Sequence, residues 1–214
     1  MKKTLLCLLL IVMTGCSASD LFSNTPAVSS ESSYADFINV GDKHYVNAWE
    51  LALVDPAGIE EIGEVELGTV VPEGTSVYSL PDYPEHNVVV VKTDSKDAGM
   101  LTNVTGYLVY VRYEGDGESY YPEIEDQAVS HIQIYKAGEL FRELKGEEAN
   151  AFLQLFEQHG AYNEFSFEDA PQYTVLFVGD HVLGHNYGIM EKNGQFGLTH
   201  LESKLPDAIY GYFK

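Results

Sequence analysis

Between Gly179 and Glu202 the chain reads GDHVLGHNYGIMEKNGQFGLTHLE, two alternating runs on either side of Asn193-Gly194. That dipeptide favours a two-residue type I′ turn, whose twist matches that of the strands it joins. The turn sets a register in which Lys192 opposes Gln195, Ile189 opposes Leu198, Tyr187 opposes His200 and His185 opposes Glu202. One face of this hairpin carries Leu183, Tyr187, Ile189, Phe196 and Leu198, whereas the other carries Gly184, Gly188, Gly197 and Thr199. An apolar face needs a cover, and the stretch GEEANAFLQLFEQHG upstream supplies one. Its Ala149, Phe152, Leu153 and Phe156 fall at i, i+3, i+4 and i+7, the stripe of an amphipathic helix. Glu147 and Glu148 lie in the first turn, where negative charge suits the helix dipole, and Gly160 is placed to end it.

Working outward, VSHIQIY alternates as a strand and ELFREL pairs with it across Lys136-Ala137-Gly138. Further strands are predicted at Tyr173 to Val178, His181 to Met190 and Gln195 to Leu201, with a short helix after Pro206 that packs Ile209 and Phe213 inward. One helix on an antiparallel sheet is a small α+β domain over 122–214. The segment 34–121 is punctuated differently, by Gly, Pro and Asp clusters between short apolar runs. Strands are predicted on both sides of Gly41-Asp42, and at Glu64 to Val70, Thr75 to Leu80, Asn87 to Lys92 and Gly106 to Tyr113. Only Asn47 to Leu53 has a helical period. The expected fold class is therefore α+β, a β-rich N-terminal sandwich or barrel followed by the small α+β domain.

The chain opens with Lys2 and Lys3 and an uncharged apolar run from Leu5 to Val12. A membrane span needs roughly 20 apolar residues, so this run is a short export leader. It closes on Met13-Thr14-Gly15-Cys16, which resembles the lipobox of bacterial lipoproteins. The resemblance implies a signal peptide over 1–15, removal of that peptide, and a diacylglyceryl thioether on Cys16 as the first mature residue. It also implies a lipid anchor in the cell membrane, with the body facing outside the cytoplasm. Two acyl chains suffice for stable anchoring, at about 0.8 kcal/mol per buried methylene. VPEGTSVYSLPDY (Val71 to Tyr83) and VVVVK (Val88 to Lys92) are similar to stretches of uncharacterised surface lipoproteins of Gram-positive bacteria, which implies location and no activity.

Residues 16–33, SASDLFSNTPAVSSESS after the cysteine, read as a flexible Ser-rich tether because they hold too little apolar surface to order themselves. Of the two cysteines, Cys7 lies in the leader and Cys16 takes the lipid, so no disulfide is expected in the mature chain. The 12 basic residues stand against 33 acidic ones, a net charge of −21. Losing Lys2 and Lys3 with the leader leaves ten basic residues and a charge of −23. Such a chain is repelled by phosphate backbones, which excludes nucleic acid as a natural partner. Acidic excess suits solubility, and also cation-rich partners.

The predicted hairpin register gathers His185, His200 and Glu202, with His181 on the same face if the strand is unbroken. Imidazoles and a carboxylate are zinc ligand types, so these residues are the candidate metal site and zinc the candidate ion. Against it, His181 stands about 13 Å from His185 along an extended strand at about 3.3 Å per residue, and the shared face is apolar. Val182 occupies the position where a zinc protease helix carries its glutamate. No nucleophile elbow, P-loop or dinucleotide fingerprint occurs. Paired acids such as Glu60-Glu61 are expected by chance among 33, and Glu114, Asp116 and Glu118 lack the spacing of a calcium loop. Fifteen tyrosines and Trp49 suit a sugar or peptide groove, although strand packing accounts for tyrosine as well. The expected role is binding or scaffolding at the cell envelope without turnover, toward an envelope protein or ligand that the sequence does not name. The competing expectation is a metal-binding protein or metal-dependent hydrolase built on His185, His200 and Glu202. A solute-capturing lipoprotein would need two α/β lobes, and the chain has too few helices for them.

Overall fold

The computed structural model describes residues 36–93, 104–115, 118–120, 122, 128–161, 171–198 and 203–214. The leader, Cys16, the tether, His200 and Glu202 lie outside them. The described chain is mostly antiparallel β-sheet with two helices, and a sheet curls into a half-barrel. Among the described residues no helix is long and apolar enough to cross a membrane.

The first sheet is built from β1 (Phe37–Val40), β2 (Lys43–Asn47), β4 (Glu60–Glu64), β5 (Leu67–Gly68), β6 (Ser76–Ser79), β7 (Val88–Lys92), β8 (Tyr107–Gly115) and β9 (Glu118–Ser119). Its order is β4-β6-β7-β8-β2-β1-β5, with β9 on β8. The four valines of β7 are all fully buried because the sheet has a core on each face. Val89 and Val91 pack with Ile38, Tyr45 and Tyr110, whereas Val88 and Val90 pack with Leu53, Val109 and Leu183. A continuous β-branched run is what a strand buried on both sides requires. At the beginning of the described body, the Asp36 carboxylate accepts hydrogen bonds from Tyr110 Oη at 2.8 Å, Asn47 Nδ2 at 2.7 Å and Thr69 Oγ1 at 3.0 Å. Burial, with the Asp36 charge beside it, pushes the Tyr110 phenol well above its ordinary range, so it stays a neutral donor.

The second sheet contains β3 (Leu51–Leu53), β10 (His131–Lys136), β11 (Glu139–Lys145), β12 (Gly160–Ala161), β13 (Tyr173–Val178), β14 (Leu183–Lys192), β15 (Gln195–Leu198) and β16 (Ser203–Lys204). Its order is β11-β10-β13-β14-β15-β16-β12, with β3 paired to β14. The Asn193-Gly194 turn forms with both residues at positive φ, and Lys192 opposes Gln195 and Ile189 opposes Leu198 as expected. Helix α1 (Gly146–Phe156) lays Ala149, Phe152 and Phe156 on the sheet. They meet Val175, Phe177, Tyr187, Ile189 and Leu198 in one buried cluster that also takes Ile209 and Phe213. Ile209 lies within the 3₁₀ helix Asp207–Tyr212 after Pro206, and Phe213 caps it.

Three expectations change. Asn47 to Leu53 is not helical: β2 ends at Asn47 and β3 occupies Leu51–Leu53, all three buried. A short apolar run has no period that distinguishes helix from fully buried strand, so its partners decide. Second, the predicted strand from Glu64 to Val70 is two elements, β4 ending at Glu64 and β5 at Leu67–Gly68. Third, α1 ends at Phe156 with Glu157 as its cap, and Gly160 opens β12 instead of terminating the helix. β3 pairs Leu53 with Leu183, Ala52 with Gly184 and Leu51 with His185 on β14. The chain thus passes from the first sheet to the second between β2 and β3.

Candidate functional site

His185 is 7% exposed and sits between two cores, with Leu183 on one side and the Tyr187 ring 6.3 Å away on the other. Its neighbours in the sheet are Phe177 on β13 and Leu51 on β3. Leu51 of β3 stands opposite His185 on that edge of β14. Burial pushes the His185 imidazole down to about 4, so it is neutral at neutral pH. His181 lies elsewhere. Its Nδ1 accepts the Leu183 N–H at 3.1 Å, which leaves the Nε2 side facing Tyr83 Oη at 3.3 Å and the Asp82 carboxylate at 3.6 Å. Tyr83 in turn packs edge-on to Tyr120, so His181 helps to join the β6–β7 loop to the β13–β14 connection. Among the described residues no group of three or more His, Cys, Asp or Glu side chains is placed to hold a metal ion. His200 and Glu202 are not among them.

Ser130, His131 and Glu143 have the composition of a nucleophile, base and orienting acid. Ser130 Oγ lies 2.9 Å from His131 Nδ1, and His131 Nε2 lies 3.8 Å from Glu143. The serine hydroxyl, however, donates to the Val178 carbonyl at 2.9 Å. Its proton is directed at the backbone, so His131 does not activate it. A nucleophilic serine needs its hydroxyl aimed at its base.

The remaining concentration of chemistry is an aromatic row at the end of the second sheet farthest from β3. Phe141 on β11 meets Tyr173 on β13 at 6.2 Å between ring centroids, Tyr173 meets Phe213 at 4.9 Å, Phe213 stacks on Phe196 at 4.8 Å, and Phe196 meets Tyr210 at 5.9 Å. The middle is buried, while the end rings Phe141 and Tyr210 are 42% and 46% exposed. A bulge between Ile134 and Tyr135 on β10 skips Phe141 in the pairing, so Arg142 pairs with Ile134 and Leu140 with Tyr135. Bulges re-aim side chains in this way. The 3₁₀ helix is held on this end by Arg142, whose Nη1 donates to the Gly211 carbonyl at 3.0 Å while its guanidinium lies 5.5 Å from the Tyr212 ring and pairs with Glu148. Buried Tyr173 Oη donates to the Phe213 carbonyl at 2.8 Å, which fixes the backbone next to Lys214.

Each end of the row seats an ammonium. Lys136 Nζ lies 5.0 Å from the Tyr173 ring and 5.7 Å from Phe141. Lys214 Nζ lies 5.0 Å from Tyr210 and 5.8 Å from Phe196, and donates to both Glu191 oxygens at 2.9 Å. Hydrogen bonding to Glu191 pushes the Lys214 amine above its ordinary value, so it is charged throughout the neutral range. These residues stand far apart in the sequence, and no motif announces them. The available signals were the alternation that placed Phe196 on an apolar face and the inward packing expected of Phe213.

Comparison with protein-family models finds none that matches the chain, and comparisons with curated proteins and with solved structures find no significant match.

Proposed function

We propose that the protein is a lipid-anchored binding or scaffolding component of the cell envelope, held to the membrane through Cys16 and working without turnover. The supporting observation is the aromatic row, exposed at both ends, beside Leu140 at 54% exposure. Leu140 and Phe141 are exposed as chain neighbours at one end, and contiguous exposed apolar surface marks interaction sites. Its position fits the role. The tether would join at Asp36, beside the first sheet, while β13 runs from Val178, clustered with Ala52 of β3, out to Tyr173 on the row, about 16 Å at about 3.3 Å per residue. A body anchored at one end would present the row at the other. On this reading 34–121 is the β-rich part carrying the tether and 122–214 the α+β part carrying the binding face. The leader, the lipobox-like Cys16 and the resemblance to Gram-positive surface lipoproteins support the anchor.

Membrane fractionation and mass spectrometry of the mature amino terminus test the anchor. The expected result is a diacylglyceryl group on Cys16 and its loss, with release from the membrane, in Cys16→Ala. An unmodified Cys16 overturns it. The competing metal reading is separated by elemental analysis of untagged protein: stoichiometric zinc, lost in His200→Ala, would replace a binding role with a metal centre on His185, His200 and Glu202.

A further inference from the structure

We propose that Glu191, Phe196 and Tyr210 form a binding pocket for a primary alkylammonium group, held shut by the chain's own Lys214. The resident amine displays the recognition chemistry directly. Both carboxylate oxygens of Glu191 accept from Nζ at 2.9 Å, and the two rings present their faces at 5.0 and 5.8 Å. A cation within about 6 Å of an aromatic centroid is attracted by the ring quadrupole. The paired N–H bonds select a primary ammonium, because a quaternary one has no N–H to donate to Glu191. Glu191 is itself held in place: its backbone N–H donates to the Gln172 side chain.

Two further observations point to a ligand. The same aromatic row seats a second ammonium at its other end, where Lys136 lies over Phe141 and Tyr173, so the row suits cations at more than one place. The chain also carries a net charge of −21, a field that concentrates cations at its surface. The pair lies at the surface, with the Glu191 side chain 28% and the Lys214 side chain 39% exposed. An external ammonium reaches Glu191 once Lys214 swings out, a movement of one side chain beyond the pinned Phe213 carbonyl. The ligand is a primary alkylammonium, either a small amine or a lysine side chain on a partner segment. A first ligand that must displace an internal occupant binds with an affinity reduced by the open fraction.

The inference deepens the binding role proposed above and is read at a different residue, so it fails at Glu191 while the anchor fails at Cys16. The experiment titrates n-butylammonium, and separately an acetylated lysine amide, into the full chain in non-ionic detergent, followed by calorimetry and by the aromatic resonances of Phe196 and Tyr210. Lys214→Ala should bind about tenfold more tightly than the parent, the factor expected if the resident amine leaves the pocket open about a tenth of the time. Adding Glu191→Gln or Tyr210→Ala to Lys214→Ala should abolish saturation, and tetramethylammonium should bind more weakly than n-butylammonium. Preference for the lysine amide over n-butylammonium assigns the site to a partner segment, and the reverse assigns it to a small amine. If Lys214→Ala fails to fold, the parent chain labelled at the lysine amine should show the Lys214 resonance moving toward its free position as n-butylammonium is added. No saturable binding in Lys214→Ala, an unmoved Lys214 resonance in the parent, or binding that survives Glu191→Gln overturns the proposal.

Discussion

His185 is a titratable group in a place where its charged form is penalised. Burial pulls its imidazole from the ordinary 6.5 to about 4. Between these values the unfolded chain takes up a proton that the folded chain refuses, so stability is fully present above about pH 6.5 and is lost as pH falls toward 4. A gap of about 2.5 units corresponds to about 3 kcal/mol. Urea unfolding of the parent at pH 7 and pH 4 should therefore differ by that much more than in His185→Leu; equal pH dependence in the two would refute the assignment. Gly184, the next residue on β14, is constrained by space. A Cβ there would stand 2.3 Å from the Phe177 carbonyl oxygen and 3.0 Å from Val54. Gly184→Ala should cost on the order of 2 kcal/mol as an overpacking change. Gly211→Ala, which meets nothing within 4 Å, is the matched control and should lie near zero by the same denaturation assay. The glycine was visible in the sequence as one of several on a polar-looking face, but nothing local distinguished it from Gly188 or Gly197.

At the scale of an element, the two tight hairpins show how turn chemistry and pairing divide the work. Asn193-Gly194 has the residues its conformation asks for, and the register around it follows. Ala137-Gly138 has the same positive φ at both positions, 52° and 80°, with an alanine where glycine or asparagine is at ease. The β10–β11 pairing holds Ala137 in that region at a cost. Ala137→Gly should stabilise the protein by about 0.5 to 1 kcal/mol, the left-handed strain of a Cβ less the extra chain entropy of glycine, measured as a shift of the urea midpoint. A decrease would mean that the turn is not strained. Helix α1 was legible because eleven residues allow a 3.6 period to declare itself. β3 was not, because three buried residues have no period at all.

At the scale of the molecule, β3 decides how the two segments behave. Leu51 and Leu53 pack with Val88, Val90 and Val109 of the first sheet and with Leu183 of the second. Breaking one sheet therefore exposes the core of the other. Thermal unfolding should be a single transition in which Trp49 fluorescence, reporting the β2–β3 corner, and the far-ultraviolet helix signal of α1 coincide. Two separated transitions would show that the segments fold independently. Local order in the sequence determined the Asn193-Gly194 hairpin, the stripe of α1 and the strand at β7, since each depends on residues within a few positions of one another. The mostly antiparallel β architecture with few helices follows from the same signals. Tertiary structure alone decided that β3 joins the second sheet, that Leu51 stands across from His185, and that Glu191, Phe196, Tyr210 and Lys214 meet in one place. Those outcomes are set by which distant strand claims an edge, and by where the 3₁₀ helix and the residues after it aim their side chains. Such competitions are settled by packing and hydrogen-bond satisfaction over the whole body, which no short window of sequence contains.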